Sequence, residues 1–275
     1  MSSDPCTACS WAAERQKHRG YESRVKIFYE AGDRGVWSLG SKLIVKDRGP
    51  SIPALEVPNI QFVQEQTSIP VPTVVDSWDE DGHALIVMRR VPGKPLSEDW
   101  PTLHNRKREY RKANRRVYCN FLIMNGKPGN KLHGPLATDE ELWEEMEQGL
   151  IENGVPEAAR IRLRKSIPPS KPYTFTHGDL ASVNMMVENG SLTDIIDWEM
   201  SGFFPVWWEY ASTSVGQGEE DWDWKDLLRK YIPDYSDVRE FWRNYFFLCR
   251  DLKSERAAKF IEETELERVR MSLLQ

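Results

Sequence analysis

The sequence has little of several features that would define whole classes of protein. It contains four cysteines in 275 residues, and the close pair Cys6 and Cys9 has no second pair to complete a zinc site. We therefore expect reduced thiols of minor structural importance. There is no long apolar run, which excludes a membrane-spanning helix, and the first twenty residues lack the apolar core of a secretion signal. A cytoplasmic protein is the resulting expectation.

An excess of positive charge is also absent. The 37 Lys and Arg residues are outnumbered by 43 Asp and Glu residues, which gives a net charge of −6. This balance argues against general nucleic-acid binding. The stretch 106–116, RKREYRKANRR, is a local exception with seven basic residues. It reads either as an anion-binding helix or as a solvated helix face that pairs with the acidic residues 139–147, and the second interpretation is favoured.

The most informative stretch is 173–199, which reads YTFTHGDLASVNMMVENGSLTDIIDWE. Asp179 lies in a His-Gly-Asp turn, Asn184 follows five residues later, and Asp197 ends an apolar run. Between the last two, a Glu-Asn-Gly-Ser sequence is typical of a hairpin turn between two short strands. Such a hairpin would bring Asn184 and Asp197 to one edge, and we expect Asp179 to lie beside them.

These residue types suit phosphoryl transfer. An attacking hydroxyl needs a carboxylate that accepts its proton, and Mg²⁺ takes one or two hard oxygen ligands from protein. Asp179 fits the first task, and Asn184 and Asp197 fit the second. The spacing H-x-D-x-x-x-x-N with a downstream strand-end Asp is the kinase-type catalytic set. Glu199 either assists the metal site or orients Asp197, and a polar turn without chemistry is the alternative for the whole segment.

The segments HGDLASVNMMV and IIDWEMSGFFPVWWEYAS closely resemble the fungal branch of the aminoglycoside phosphotransferase-like, or choline-kinase-like, proteins. The resemblance extends from about residue 25 to the C-terminus. It implies an α+β protein-kinase-like fold with two lobes, and ATP and Mg²⁺ as cofactors. Residues 1–90 would form a small antiparallel-sheet lobe. Residues 91–275 would form a mostly helical lobe with the catalytic loop and the substrate pocket. From its place in the loop, we expect His177 to brace the backbone by hydrogen bonding rather than to take part in the chemistry.

In the small lobe, the resemblance implies nucleotide-binding roles for a few residues. Lys46 follows the apolar strand 43–45 and would reach the α- and β-phosphates, although a solvated strand-end lysine is the alternative. Glu56 would pair with Lys46, but Pro58 is tolerated only in the first helical turn, so Glu56 lies at or before the helix start.

The segment 88–93 reads as the linker between the lobes. Within it, Met88, Arg90 and Val91 are the candidates for holding the adenine ring through an apolar slot and backbone groups. The glycine-rich fingerprint G-x-G-x-x-G is missing, but glycines at positions 32 and 35 could still cover phosphate with backbone N–H groups.

A further group of carboxylates and aromatic rings is a candidate recess for a cationic or amine-bearing acceptor. Its members are Trp208, Glu219, Glu220, Asp221 and Trp222. The alternative is a set of packing aromatics beside a solvated acidic loop. The two interpretations are equally supported for the loop, whereas packing in the core is favoured for Trp208.

The sequence therefore predicts an ATP-dependent phosphotransferase that acts on a hydroxyl of a small molecule. Neither a nucleic acid nor a membrane is an expected partner, and the oligomeric state is open. A kinase fold reused as a different enzyme or as a ligand-binding module is the alternative. A protein kinase is disfavoured, because Asp197 is followed by Trp-Glu-Met and no DFG or APE segment is present.

Overall fold

The computed structural model describes residues 25–31, 34–49, 55–100, 136, 138–216 and 218–273. In chain order, its strands are β1 Val25–Ala31, β2 Arg34–Leu39, β3 Leu43–Asp47, β4 Val74–Glu80, β5 His83–Arg89, β6 Lys94–Pro95, β7 Tyr173–Thr176, β8 Met185–Glu188, β9 Ser191–Ile195 and β10 Gly202–Pro205. Its α-helices are α1 Glu56–Gln66, α2 Leu96–Asp99, α3 Asp139–Glu152, α4 Glu157–Arg164, α5 Trp208–Ser212, α6 Glu219–Leu228, α7 Ser236–Arg250 and α8 Glu255–Leu273. Short 3₁₀ turns occur at Ser182–Asn184 and Trp198–Met200.

The chain divides into two compact units. The first comprises the N-terminal part up to Leu103 together with Val183–Glu199, and the second comprises His104–Ser182 together with Met200–Gln275. The hairpin segment 183–199 thus belongs with the N-terminal residues by its contacts. The lobe boundary at residue 90 stays a prediction.

The first unit is built on a five-stranded antiparallel sheet with the strand order β1-β2-β3-β5-β4. Strand β5 shows why these residues form a sheet. Ala84, Ile86 and Met88 alternate with more exposed residues and are buried, which is the two-residue period of a strand with one covered face. Helix α1 buries Ile60 and Val63 and contacts β4. Each fully buried side chain of this size stabilises the fold by about 1.5–3 kcal/mol.

The first unit also contains a smaller sheet with the order β6-β8-β9. Strands β8 and β9 form the predicted hairpin, with Met185 opposite Ile195 and a turn at Asn189 and Gly190. Both turn residues have positive φ angles, of 52° and 72°, as a tight hairpin turn requires.

The second unit combines the strand pair β7-β10 with helices α3 to α8. Helix α3 begins with a capping box, in which Thr138 and Glu141 bond each other's backbone N–H groups, and it buries Leu142, Met146 and Leu150 on one face. The aromatic core includes Trp208 and Trp242, whose rings meet edge to face with centroids 4.8 Å apart.

Several sequence predictions are settled by these elements. The stretch 218–224, expected as an acidic loop in one interpretation, is helical from Glu219, because three acidic residues in its first turn complement the helix dipole. The acidic residues 139–147 lie on α3. Cys6, Cys9, the basic stretch 106–116 and the glycine at position 32 lie outside the described residues. Within the described part of the chain, no helix has both the length and the apolar character needed to cross a membrane.

Gly93 provides a test of the smaller sheet. Its φ is +87°, and a Cβ atom there would lie 2.2 Å from the carbonyl oxygen of Val187 on β8. Gly40 also has a positive φ, +63°, but a Cβ atom there would meet nothing within 4 Å. We expect Gly40→Ala to cost about 1–2 kcal/mol through backbone strain alone. Gly93→Ala should cost about 1–3 kcal/mol more through the clash with β8.

Urea unfolding of both variants measures the difference. Equal losses of stability in the two variants would contradict the close approach of Gly93 to β8.

Candidate active site

Lys46 lies at the centre of a charged cluster in the first unit. It is on β3, where it pairs with Val36 on one side and Ile86 on the other, and it is 8% exposed. Its ammonium donates to Glu56 Oε1 at 2.9 Å and to Asp197 Oδ1 at 2.5 Å. The predicted pairing of Lys46 with Glu56 is therefore present, and Asp197 is a second partner.

The start of α1 explains the position of Glu56. Glu56 is the first residue of the helix, and Pro58 lies within the first turn, where the missing N–H group breaks no helical hydrogen bond. The same helix reaches the segment after β9, because Asn59 donates its side-chain N–H to the carbonyl oxygen of Trp198 at 2.9 Å. Helix α1 thus contacts both Lys46 on β3 and the segment after β9 that carries Asp197 and Glu199.

Three carboxylates meet in this cluster. One oxygen from each of Glu56, Asp197 and Glu199 lies within 4.8 Å of the others. Lys46, Arg48 and Arg34 balance their charge, since Arg48 forms ion pairs with both Glu56 and Glu199 and Arg34 forms one with Glu199. Such hard oxygen donors are the ligands that Mg²⁺ prefers. Asp197 has a side chain 32% exposed, against 2% for Glu56 and 11% for Glu199, and is the most accessible of the three.

The hairpin brings Asn184 and Asp197 to one end, as predicted. The N–H group of Ile196 donates to the carbonyl oxygen of Asn184 at 2.9 Å, directly beside the β8–β9 ladder. Asn184 is buried. Asp197 has a φ of +66°, a left-handed conformation that non-glycine residues rarely adopt. Strained backbone of this kind is typical of functional sites.

Asp179 belongs to the second unit, in the loop between β7 and the 3₁₀ turn Ser182–Asn184. Its N–H group donates to Nδ1 of His177 at 3.2 Å, so His177 braces the loop, as predicted. Gly178 has a φ of +81°, and a Cβ atom there would lie 2.7 Å from the carbonyl oxygen of Met200. Only glycine fits this position. Whether Asp179 lies beside Asn184 and Asp197 stays a prediction.

Glu209, which was not among the predicted site residues, holds the backbone of this loop. It lies on α5, and its Oε2 accepts the N–H groups of His177 at 2.8 Å and Gly178 at 3.5 Å. Burial raises the pKa of its carboxyl from 4.5 to about 7, helped by the negative charge of Asp179 and opposed by the two N–H groups and Lys225. The sequence does contain a sign of this role, because Glu209 lies within the apolar run Trp-Trp-Glu-Tyr. A carboxylate that is buried with such neighbours needs a hydrogen-bonding partner.

The proposed substrate recess divides into two groups. Asp221 and Trp208 are 3% and 1% exposed. Asp221 pairs with Lys225 and Ser182, and Trp208 packs on Trp242. The geometry favours core packing for Trp208, whereas Asp221 is buried in an internal ion pair and is therefore not part of a solvated acidic loop.

Glu219, Glu220 and Trp222 are exposed at the start of α6. Trp222 lines a cavity of about 150 Å³ together with Trp242, Phe246 and Arg243. Their contact with a substrate stays a prediction.

The predicted linker residues follow the sheet of the first unit. Met88 is buried within β5, and Arg90 and Val91 come directly after that strand. Arg90 donates its backbone N–H to the carbonyl oxygen of Lys42 and its guanidinium to Ser38 at 2.9 Å. The segment is thereby tied to the sheet. Its contact with adenine stays a prediction.

Residues 33–243 match the model of the phosphotransferase enzyme family, which is more than half of the chain. This chain belongs to the phosphotransferase enzyme family. No curated protein sequence is significantly similar to it.

Solved structures of phosphotransferases have the same fold as this chain at low sequence identity. A variant of aminoglycoside phosphotransferase APH(4)-Ia, in complex with ADP and hygromycin B, is 15% identical with a TM-score of 0.51, covering 94% of this chain and 97% of the other. The streptomycin–ATP complex of APH(2")-IIa is 12% identical with a TM-score of 0.52, and 97% of each chain is covered. A putative fructosamine-3-kinase from Haemophilus somnus is 13% identical with a TM-score of 0.53, covering 92% and 96%.

These likenesses confirm the predicted α+β protein-kinase-like fold, with an antiparallel sheet in the N-terminal part and helices in the C-terminal part. They also confirm the aminoglycoside phosphotransferase-like part of the resemblance. Its fungal and choline-kinase-like part stays a prediction.

The raised pKa of Glu209 has a consequence for stability. The folded phosphotransferase binds this proton more tightly than the unfolded chain, so the contribution of Glu209 to stability falls as the pH rises from 4.5 to about 7. The full loss is on the order of 3 kcal/mol at about 1.4 kcal/mol per pKa unit. Glu209→Gln keeps an acceptor for the loop but cannot ionise, so it should lack this loss.

Urea unfolding of the wild type and of Glu209→Gln between pH 5 and 8 provides the measurement. Subtracting the two free energies removes the contributions of all other titrating groups. A difference that is constant across this range would show that Glu209 does not titrate there.

Proposed function

We propose that this phosphotransferase moves the γ-phosphoryl group of ATP to a hydroxyl group of a small molecule. The observation that carries the proposal is the Lys46 ammonium, held between Glu56 at 2.9 Å and Asp197 at 2.5 Å. A strand lysine that is fixed by a helix carboxylate and placed beside a possible metal ligand is the arrangement that kinases use to hold phosphates.

The comparisons support both substrates of this reaction. One structure of similar fold contains ADP and hygromycin B, another contains ATP and streptomycin, and a third is a putative fructosamine-3-kinase. The acceptors named there are small molecules. We propose an amine-bearing molecule as the acceptor here, for which Trp222, Glu219 and Glu220 provide an exposed aromatic face and negative charge at the start of α6.

The residues have separate tasks in this reaction. Asp179 accepts the proton of the acceptor hydroxyl and orients it, while His177 and Glu209 hold the backbone of its loop. Lys46 binds the nucleotide's phosphate oxygens, with Glu56 keeping the ammonium in place. Met88, Arg90 and Val91 are the proposed contacts of the adenine ring.

Asn184 and Asp197 are the proposed holders of Mg²⁺, and the oxygen-rich donor set around Asp197 fits this ion. When bound, the ion would neutralise phosphate charge. Glu199 is held by Arg48 and Lys46, which favours its role as a group that orients the cluster.

The alternative is a protein of this fold that binds another ligand, and Mg-ATP would not stabilise such a protein. If this chain binds Mg-ATP, a concentration of Mg-ATP a hundred times its Kd should raise the free energy of unfolding by about 2.7 kcal/mol.

The role of Asp179 can be tested by Asp179→Asn. The amide cannot accept the hydroxyl proton, so kcat should fall by about 10²–10⁴-fold. Mg-ATP binding should change little, because the proposed phosphate contacts are elsewhere. The measurement combines a screen of hydroxylated and amine-bearing acceptors for ATP turnover with a calorimetric titration of the nucleotide, and undiminished turnover would remove Asp179 from this role.

The role of Lys46 has a matched control on the same sheet. Lys46→Met should weaken Mg-ATP binding at least tenfold, because a charge-assisted hydrogen bond contributes about 1.5–3 kcal/mol. Lys42→Met changes an exposed lysine just before β3 and should leave the affinity unchanged. Calorimetric titration of both variants, after a check that each is folded, decides the matter. Equal affinities for the two would exclude Lys46 from phosphate binding.

A further inference from the structure

Helix α6 has an unusual buried face. Its buried residues are Asp221, Lys225 and Leu228, which share one side of the helix at spacings of four and three. Asp221 and Lys225 are 3% and 4% exposed. Burying an ion pair costs desolvation energy that apolar residues would not incur, so the pair is weak evidence for stability. Its contacts suggest a different reason for its presence.

The carboxylate of Asp221 uses both of its oxygens. Oδ1 accepts the backbone N–H of Ser182 at 2.7 Å and the hydroxyl of Ser182 at 3.1 Å. Oδ2 pairs with the Lys225 ammonium at 2.9 Å, and that ammonium also donates to the carbonyl oxygen of Val215. Lys225 therefore fixes the orientation of the carboxylate, and the carboxylate fixes Ser182.

A second contact from the same helix reaches the same loop. The indole N–H of Trp224 donates to the carbonyl oxygen of Leu180 at 2.7 Å. Leu180 and Ser182 are the first and third residues after Asp179. On the other side of Asp179, Glu209 holds the N–H groups of His177 and Gly178. The backbone is thus anchored on both sides of Asp179.

We propose that Asp221 is a positioning residue for phosphoryl transfer, acting through Ser182 on the loop that carries Asp179. This inference rests on the proposed function. A reacting carboxylate must be held to a fraction of an ångström, and small displacements caused by distant changes can lower the rate by about 10²-fold. Asp221 thereby has a role that differs from contact with the substrate.

Two double variants separate positioning from folding. Asp221→Leu with Lys225→Met removes the buried charges together and leaves Ser182 without its acceptor. Asp221→Asn with Lys225→Met also removes both charges but retains an oxygen that accepts the Ser182 N–H. Since neither leaves a lone buried charge, both should remain folded. Asp223→Leu is the control, because Asp223 is exposed on the same helix.

The expected result is a split between the two variants. The Leu–Met variant should lose at least about tenfold in kcat with its KM for ATP within about twofold of the wild type, whereas the Asn–Met variant should recover most of kcat. Asp223→Leu should match the wild type. Unchanged kcat in a folded Leu–Met variant would overturn the proposal. Equal losses in both double variants with a raised KM for the acceptor would also overturn it, in favour of direct contact with the acceptor.

Hydrogen exchange of the peptide covering 177–184 gives a readout that is independent of turnover. Exchange should be faster in the Leu–Met variant than in the Asn–Met variant if Asp221 anchors the loop, and equal rates would refute the anchoring. If the wild-type chain transfers no phosphoryl group to any acceptor, the proposed function fails, and the exchange rates alone decide whether Asp221 holds the loop.

Discussion

The Lys46 ammonium connects three separate elements of the first unit. It joins β3 to the start of α1, ten residues away, and to the segment after β9, 151 residues away. A buried charge of this kind must be compensated, because removing one partner leaves the others desolvated and unpaired. The Lys46 ammonium thus joins the sheet, the helix and the segment after the hairpin, and Arg48 adds ion pairs with Glu56 and Glu199.

In the second unit, buried carboxylates accept hydrogen bonds from backbone N–H groups. The loop 177–182 contains a glycine in a conformation that only glycine adopts freely, and its N–H groups need partners away from water. Glu209 satisfies those of His177 and Gly178, and Asp221 satisfies that of Ser182. Two acidic side chains from different helices thus act as acceptors for one loop. The burial that makes Glu209 an effective anchor also raises its pKa into the neutral range.

The comparison with known proteins identifies the family but not the acceptor molecule, and this difference has a physical reason. The family match covers residues 33–243, which include most of the sheet, the hairpin and the motif residues. The fold does not constrain the identity of exposed side chains such as Glu219 and Trp222, and one fold can serve different acceptors. Membership of the phosphotransferase family therefore identifies the type of reaction more firmly than its substrate.

The sequence by itself determined the features that local pattern encodes. The spacing of Asp179, Asn184 and Asp197, the hairpin turn between the last two, and the position of Lys46 on an apolar strand all followed from neighbouring residues. Only the tertiary structure decided that Arg48 pairs with Glu199, that Glu209 holds the loop of Asp179, and that Asp221 is an internal acceptor. Those contacts join residues more than thirty positions apart. Local periodicity carries no information about such pairs, because they form only when separate elements pack together.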